Sequence, residues 1–426
     1  MKTFFFVSSL LFLGSASAEA PRFESQRMDL QELKIAAFKS CQAAYQAPKP
    51  VPIPVLDPPA GGPEDVGMVF QEELAVRSRN FLDRDGFYFS PRPRAAVNSI
   101  PMKIFIDESN SGNYVLKTWE DAEIDFSSSV IQPPIDKATL PDAGKVLTEL
   151  VIGHQSPKGD YPQLFDLRSS AYFRFAGYPP QITGASLRLG VHDISGLDAN
   201  GDTSLVEDFP VVRAVYASIK SRQTAKALVL VESKLFCGAL DMEMTEGSRA
   251  SVLVDSYWYT REDFEWKKSP HTAFIAYSSM LWKTEKETPQ RDSDEAHDSD
   301  TLRVNFVDGK RKIVKLQARV GKVVVQDLTA GIQSPVRSWS LANEDRDPRH
   351  YADFASALGA TNYDKRASYH VDVLDSSIKT AVTLYEIAPV QEYLDNIVAA
   401  STLRGDIKKA QNPSQAVHFK YRTTAY

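Results

Sequence analysis

The sequence predicts an all-β chain folded as one large antiparallel sandwich, and three observations carry that expectation. Short runs with period-two alternation recur after residue 75, and no helical stretches regular enough for a β-α-β series separate them. The 25 prolines, 17 tyrosines and 22 phenylalanines suit strands joined by many turns. No repeat of fixed period is present, which argues against a propeller or solenoid. With 426 residues, 43% apolar and 24% charged, the chain is long enough to bury a large core. Its 49 basic residues face 55 acidic ones, a net charge of −6, so there is no basic footprint for a phosphate backbone and no nucleic-acid partner is expected.

Taken in order, Lys2, the apolar run Phe4–Leu13 and then Ala16-Ser17-Ala18 read as a secretory signal peptide over residues 1–18. Residues 19–75 are expected to hold one helix and a connector. Leu30, Leu33, Ala37, Phe38 and Cys41 recur at helical spacing, and Pro48, Pro50, Pro52 and Pro54 open a proline-rich extended segment. Residues 76–426 form the expected sandwich domain, with strands at Met102–Ile106, Lys226–Phe236, Ala250–Asp255, Lys322–Val325 and Ile378–Ile387. The sharpest local signal is Leu302–Val307, then Asp308-Gly309, then Lys312–Leu316: an Asp-Gly between alternating runs predicts a hairpin. Cys41 and Cys237 are the only cysteines, so one disulfide at most can form; two buried thiols are the plainer expectation, and no Cys-based metal site is available.

Chemistry is sparse in local motifs. There is no Gly-rich phosphate loop, no His-Glu-x-x-His and no Gly-x-Ser-x-Gly, so neither a cofactor nor a metal is expected. Acids remain. The stretch Asp292–Asp300 is the densest, read on composition as a solvated loop; it lacks the glycine and closing glutamate of an EF-hand. Asp395 stands beside the apolar run Ile397-Val398, where partial desolvation would raise its pKa and suit a general acid, although a turn aspartate is the plainer reading. The cluster Asn343–Asp347 with His350, Tyr351 and Asp353 reads as a surface loop with ion pairs. Two distant carboxyls joined by the fold are what inverting glycoside hydrolysis requires: one protonates the leaving oxygen and the other activates water, about 6.5–9.5 Å away.

Several short segments share one order: Tyr45–Lys49, Ser170–Arg174, Ser278–Met280, His297–Asp300, the set Asp345, Arg346, Tyr351 and Asp353, Tyr363-Asp364 with Arg366 and Ser368, and Asp395–Ala399. Together they resemble the periplasmic osmoregulated-glucan biosynthesis proteins of the G/D type. The resemblance implies a β-sandwich of the galactose-mutarotase-like type. The family's small C-terminal immunoglobulin-like domain is expected to be absent, since the chain stops at Tyr426, about where the sandwich closes. It implies periplasmic localisation and inverting endo-beta-1,2-glucanase activity, with Asp395 at the general-acid position and Asp298 at the general-base position, reaching the water through a relay. Tyr172, Arg174, Arg346 and Tyr351 match positions near the glucan cleft. The implied partner is a beta-glucan oligo- or polysaccharide; a membrane glucan synthase and a second copy of the chain stand as further candidates.

The chain departs from the family pattern in three places, which marks a divergent member. Ala400 and Ser401 follow where the family has two aromatics, the hairpin strand Lys310–Val314 lacks the expected tryptophans, and Asn343-Glu344 replaces Gln-Arg. Aromatic faces bury the apolar sides of sugar rings, so their loss is expected to weaken or retune binding. A glucan-binding or assembly factor on the same sandwich is the alternative function, and a sugar epimerase a third.

Overall fold

The computed structural model describes residues 25–47, 82–84, 87–92, 100–122, 146–154, 163–169, 171–175, 186–192, 208, 210–246, 250–269, 272–281, 298–299, 301–316, 324–342, 368–386 and 396–425. The expected leader, most of the proline-rich connector, the acidic stretch 292–297 and the cluster 343–353 lie outside the described residues, as do Arg346, Tyr351 and Asp395.

Among the described residues the strands form two broad sheets and are numbered along the chain. The first holds, in chain order, β1 (Ser25–Arg27), β4 (Lys103–Asp107), β5 (Asn113–Lys117), β10 (Val211–Ser221), β11 (Thr224–Glu232), β12 (Phe236–Thr245), β13 (Ser251–Thr260), β16 (Thr301–Phe306), β17 (Arg311–Lys315), β19 (Val336–Ala342), β20 (Tyr369–Ser376) and β23 (Val417–Ala425). Their spatial order is β1-β5-β4-β10-β11-β12-β13-β23-β20-β19-β16-β17. The second holds β2 (Leu82–Arg84), β3 (Phe87–Arg92), β6 (Glu149–His154), β7 (Gln163–Arg168), β8 (Tyr172–Phe175), β9 (Ser186–His192), β14 (Ala273–Leu281), β15 (Asp298–Ser299), β18 (Val324–Asp327), β21 (Thr380–Glu386) and β22 (Asn396–Leu403). Its order is β18-β21-β22-β14-β9-β8-β7-β6-β3-β2, with β15 pairing to β14. The predicted all-β sandwich is therefore present. Pairing is antiparallel throughout except β4–β10 and β14–β15, which run parallel.

One hydrophobic core lies between the sheets. Val229, Val231, Leu240, Val254 and Trp258 enter it from the first sheet, and Phe89, Ile152, Phe165, Leu167, Phe173, Leu384 and Ala399 from the second. Burying each large side chain there contributes about 2 kcal/mol. The register sets Gly238 opposite Trp258, and a Cβ at Gly238 would lie 2.5 Å from that indole, so only glycine lets the ring lie flat across β12. Trp339 spans the layers, its indole N–H donating to Ser401 Oγ at 2.9 Å.

The expected hairpin is β16–β17, its Gly309 at φ +85°, the left-handed conformation the turn needs. The run Lys226–Phe236 is two strands rather than one. Asp208 breaks it, accepting from Ser233 Oγ at 2.6 Å and from the backbone N–H groups of Lys234 and Leu235 at 2.7 and 2.8 Å, which fixes the turn between β11 and β12. Strand β1, which no alternation announced, pairs with β5 at the edge of the first sheet. The last strand, β23, lies in that sheet's interior between β13 and β20, with Phe419 and Tyr421 fully buried.

The predicted helix is α1 (Leu30–Gln42), opened by a capping box in which Asp29 and Glu32 exchange hydrogen bonds of 2.8 and 2.9 Å. Its apolar stripe of Leu33, Ala37 and Cys41 packs on Phe105, Tyr216, Leu228, Cys237 and Tyr259, on the face of the first sheet opposite the main core. Arg261 holds the helix end: its Nη1 donates to the carbonyls of Ser40 and Ala43 at 2.8 and 2.7 Å, and its Nη2 to Glu232 at 3.3 Å. Among the described residues no helix is long and apolar enough to cross a membrane.

Arg261→Ala is expected to destabilise the protein by about 2 kcal/mol in urea unfolding, because it removes one cationic partner of Glu232 and the donor to two helix-end carbonyls at a partly buried site. A second expectation concerns pH. Burial pushes the Asp327 carboxyl up, but hydrogen bonds from Thr329 and Arg404 outweigh it and hold it below its ordinary value. Its stabilisation is therefore complete above the unfolded value, near pH 4, and fades as the pH falls through the lower folded one. Asp327→Asn should cost about 1 kcal/mol at pH 7, with the gap to the parent closing in acid when melting is followed across pH.

Candidate functional site

Strand β14 runs down the middle of the second sheet and organises the candidate site. On one side it pairs with β22 along its length; on the other it pairs with β9 over Ala273–Ser278 and then with β15 at Met280 and Leu281. Met280 is thus flanked by Asn396 on one side and Asp298 on the other. With neighbouring strands about 4.8 Å apart, the Asp298 and Asn396 backbones stand about 10 Å from each other. Asp395, the residue before Asn396, lies outside the described residues.

Successive rows of register partners cross the sheet beside this point. One row runs Val151, Asp166, Arg174, Ser186, Ser278, Val398; the next runs Glu149, Arg168, Tyr172, Arg188, Ala276, Ala400, Thr383. Of the residues expected from sequence, Tyr172, Arg174 and Asp298 are placed at the backbone, all in the same part of one sheet. By strand spacing and rise, the Arg174 and Asp298 backbones are about 8 Å apart. Arg346 and Tyr351 are not among the described residues.

The described side chains of these rows face away from the inter-sheet core, yet they are buried: Glu149 is 4% exposed, Arg168 8% and Asp166 0%. Arg168 Nε donates to Asp166 Oδ2 at 2.8 Å, while Asp166 Oδ1 has no hydrogen-bond partner among the described residues. A carboxylate buried this deeply needs a hydrogen-bonding partner, which Arg168 supplies, and Asp166 is itself in register with Arg174. Farther along the same face, the Tyr88 ring crosses β6 so closely that a Cβ at Gly153 would lie 2.1 Å from it. Sequence reasoning did not single out Glu149, Asp166 and Arg168. The signal was there: in Phe165-Asp166-Leu167-Arg168 the alternate residues fill the core, and charges at the other positions of a buried strand need a reason.

Two departures from the family pattern are relocated by the fold. Ser401 does not face these rows; it accepts from Trp339 inside the inter-sheet core, where that indole takes the space a ring at position 401 would need. The expectation of a missing sugar platform there is corrected accordingly. Strand β17 is the outer edge of the first sheet, where Ile313 is 55% exposed, so its lack of tryptophans does not bear on the rows around β14. Ala400 does belong to a row, and is fully buried. Among the described residues no group of three His, Cys, Asp or Glu could hold a metal ion.

Fold and site define a two-sheet β-sandwich in which one sheet gathers an acid, an arginine and a tyrosine position around a central strand. Residues 155–426 match the family model MdoG, described as periplasmic glucan biosynthesis protein, and the chain belongs to that family. It is similar to glucans biosynthesis protein D 2 of Ralstonia nicotianae, 25% identical over 307 residues that cover 67% of this chain and 51% of the relative. It is also similar to glucans biosynthesis protein G 2 of Shewanella oneidensis, 25% identical over 223 residues, 51% of this chain and 39% of the relative. The chain therefore spans about half the length of the first relative and less of the second. Among solved structures, a galactose mutarotase related enzyme from Lactobacillus acidophilus aligns over 66% of this chain and 95% of its own at 9% identity, with a TM-score of 0.28.

Asp166→Ala should remove the 2.8 Å contact to Arg168 Nε from a buried site and cost about 2 kcal/mol in denaturant unfolding. Asp166→Asn retains an acceptor for Arg168 and should cost less than half of that.

Proposed function

We propose that this chain is an exported glucan-processing protein that hydrolyses beta-1,2-glucan with inversion, within the role in glucan biosynthesis that its family describes. Asp395 is the general acid that protonates the glycosidic oxygen; Asp298 is the base that takes a proton from the attacking water through a relay. The observation that carries this reading is the register around Met280, which brings Asp298 and Asn396 to either side of one strand. That spacing accommodates the roughly 6.5–9.5 Å an inverting pair needs to seat water against the sugar. Tyr172 and Arg174 lie in the adjoining rows, and Arg346 and Tyr351 are the further glucan-contacting residues that the family resemblance implies. Export follows from the leader over residues 1–18, and the remainder divides into a helix-and-connector segment, 19–75, and the glucan-processing sandwich, 76–426.

One observation favours a second reading, a glucan-binding or assembly factor without turnover. Beyond Tyr172 and Arg188, the far end of their row, at Ala276, Ala400 and Thr383, offers only small side chain types and no ring there to stack on a pyranose. Such a factor would act beside a membrane glucan synthase.

Asp395→Asn and Asp298→Asn should each lower release of reducing ends from linear beta-1,2-glucan by at least about 100-fold, with the melting temperature and glucan binding retained. Full activity in either variant removes that aspartate from the mechanism. Binding by the parent protein without any release of reducing ends selects the second reading.

A further inference from the structure

The two cysteines, far apart in sequence, meet beneath α1. Cys41 ends the helix's apolar stripe and is 1% exposed, while Cys237, near the start of β12, is fully buried. Both belong to the cluster that seats the helix on the first sheet, together with Leu33, Ala37 and Ala239. Tyr259 gives them a common reference. The register sets Cys237 directly opposite Tyr259, and the Cys41 thiol donates to the Tyr259 carbonyl oxygen at 3.2 Å. The two thiols are thus held on either side of the Tyr259 backbone within one buried cluster. Both are free thiols in this structure.

We propose that Cys41 and Cys237 are a disulfide-forming pair that, once oxidised, ties α1 covalently to the centre of the first sheet. The inference rests on the periplasmic description of the family, an oxidising setting, and is independent of the hydrolytic reading. In the step, the two thiols give up two protons and two electrons and one S–S bond forms. The electrons reduce an incoming disulfide, such as that of a periplasmic dithiol oxidase, to two thiols. Thiolate is the reacting species, and burial above all, with the contact from Cys41, pushes the Cys237 thiol up and keeps it protonated in the folded state. Crosslinking therefore belongs to folding, or to moments when α1 lifts from the sheet, and the closed bond is then shielded from reductants by the same packing.

The bond has something to hold. Helix α1 is 13 residues long and contributes nothing to the hydrogen-bond ladders; it is attached through its apolar stripe, the Phe38 edge on Tyr259, the Arg261 cap and side-chain hydrogen bonds from Ser40 to Glu232 and from Gln42 to the Ala410 carbonyl. Elements held this way open at lower cost than strands inside a sheet. A crosslink between residues 41 and 237 would close a very long loop of the unfolded chain and prevent the helix from leaving Leu228 and Tyr259 uncovered.

The test uses the full chain secreted into the periplasm of a bacterial host, alkylated with iodoacetamide in denaturant without reductant, digested and read by mass spectrometry. A Cys41–Cys237 linked peptide with no alkylated thiol is expected; recovery of both cysteines as alkylated peptides overturns the proposal. Reduced protein unfolded and refolded in a glutathione redox buffer supplies the host-independent measurement. The crosslinked form should predominate at equilibrium, and its melting temperature should exceed that of the same sample under reductant by roughly 5 °C. Cys41→Ser and Cys237→Ser should each lose all sensitivity of melting to reductant, whatever the buried hydroxyl itself costs. A refolded parent that keeps two free thiols, or melts identically with and without reductant, also overturns it.

Discussion

Strict alternation of side chains across the second sheet is the constraint on which the rest of the structure depends. Each strand there must give one set of residues to the core it shares with the first sheet, so the intervening set is committed to the other face. Phe165, Leu167, Phe173, Leu384 and Ala399 take the first role. Asp166, Arg168, Glu149 and Ala400 are thereby assigned to the second, in register with Tyr172 and Arg174. A slip of one residue in β7 would place Asp166 among phenylalanines, at a cost no pairing in that layer could offset. The polar rows are thus held in place by the apolar ones behind them.

The same logic separates structural from functional departures in a divergent family member. Ser401 replaces an aromatic residue of the family pattern, yet it lies on the core side and pairs with Trp339, so that change concerns packing between layers. Ala400, one residue earlier, lies on the other face, where loss of a ring concerns whatever the rows contact. Adjacent positions with similar substitutions therefore bear on different properties of the protein. The first sheet meanwhile serves as support: β23 joins its two halves, and α1 covers part of its outer face through the Arg261 and Glu232 contacts.

Much of the architecture was legible because it rests on local chemistry. The hairpin at Asp308-Gly309 follows from a glycine able to adopt positive φ between two alternating runs. Helix α1 follows from its apolar spacing and the Asp29–Glu32 capping box. The division of residues 226–236 into two strands was not legible, because the turn is set by Asp208, which precedes β10 and β11 altogether. The buried Asp166–Arg168 pair was overlooked for a related reason: a charged pair two residues apart reads as a solvated strand edge until burial on both faces is known.

The sequence by itself determined the all-β class, the helix and the hairpin, since period-two alternation, capping and turn chemistry act between residues a few positions apart. It also carried the family pattern, which lies in the order of short segments. Only the tertiary structure decided that Asp298 and Asn396 flank Met280, and that Cys41 meets Cys237 against the Tyr259 backbone. In each case two residues distant in the chain are brought together by hydrogen bonds or packing to a third element. No local pattern records that, because the free energy that selects it is the burial of one core shared by both sheets.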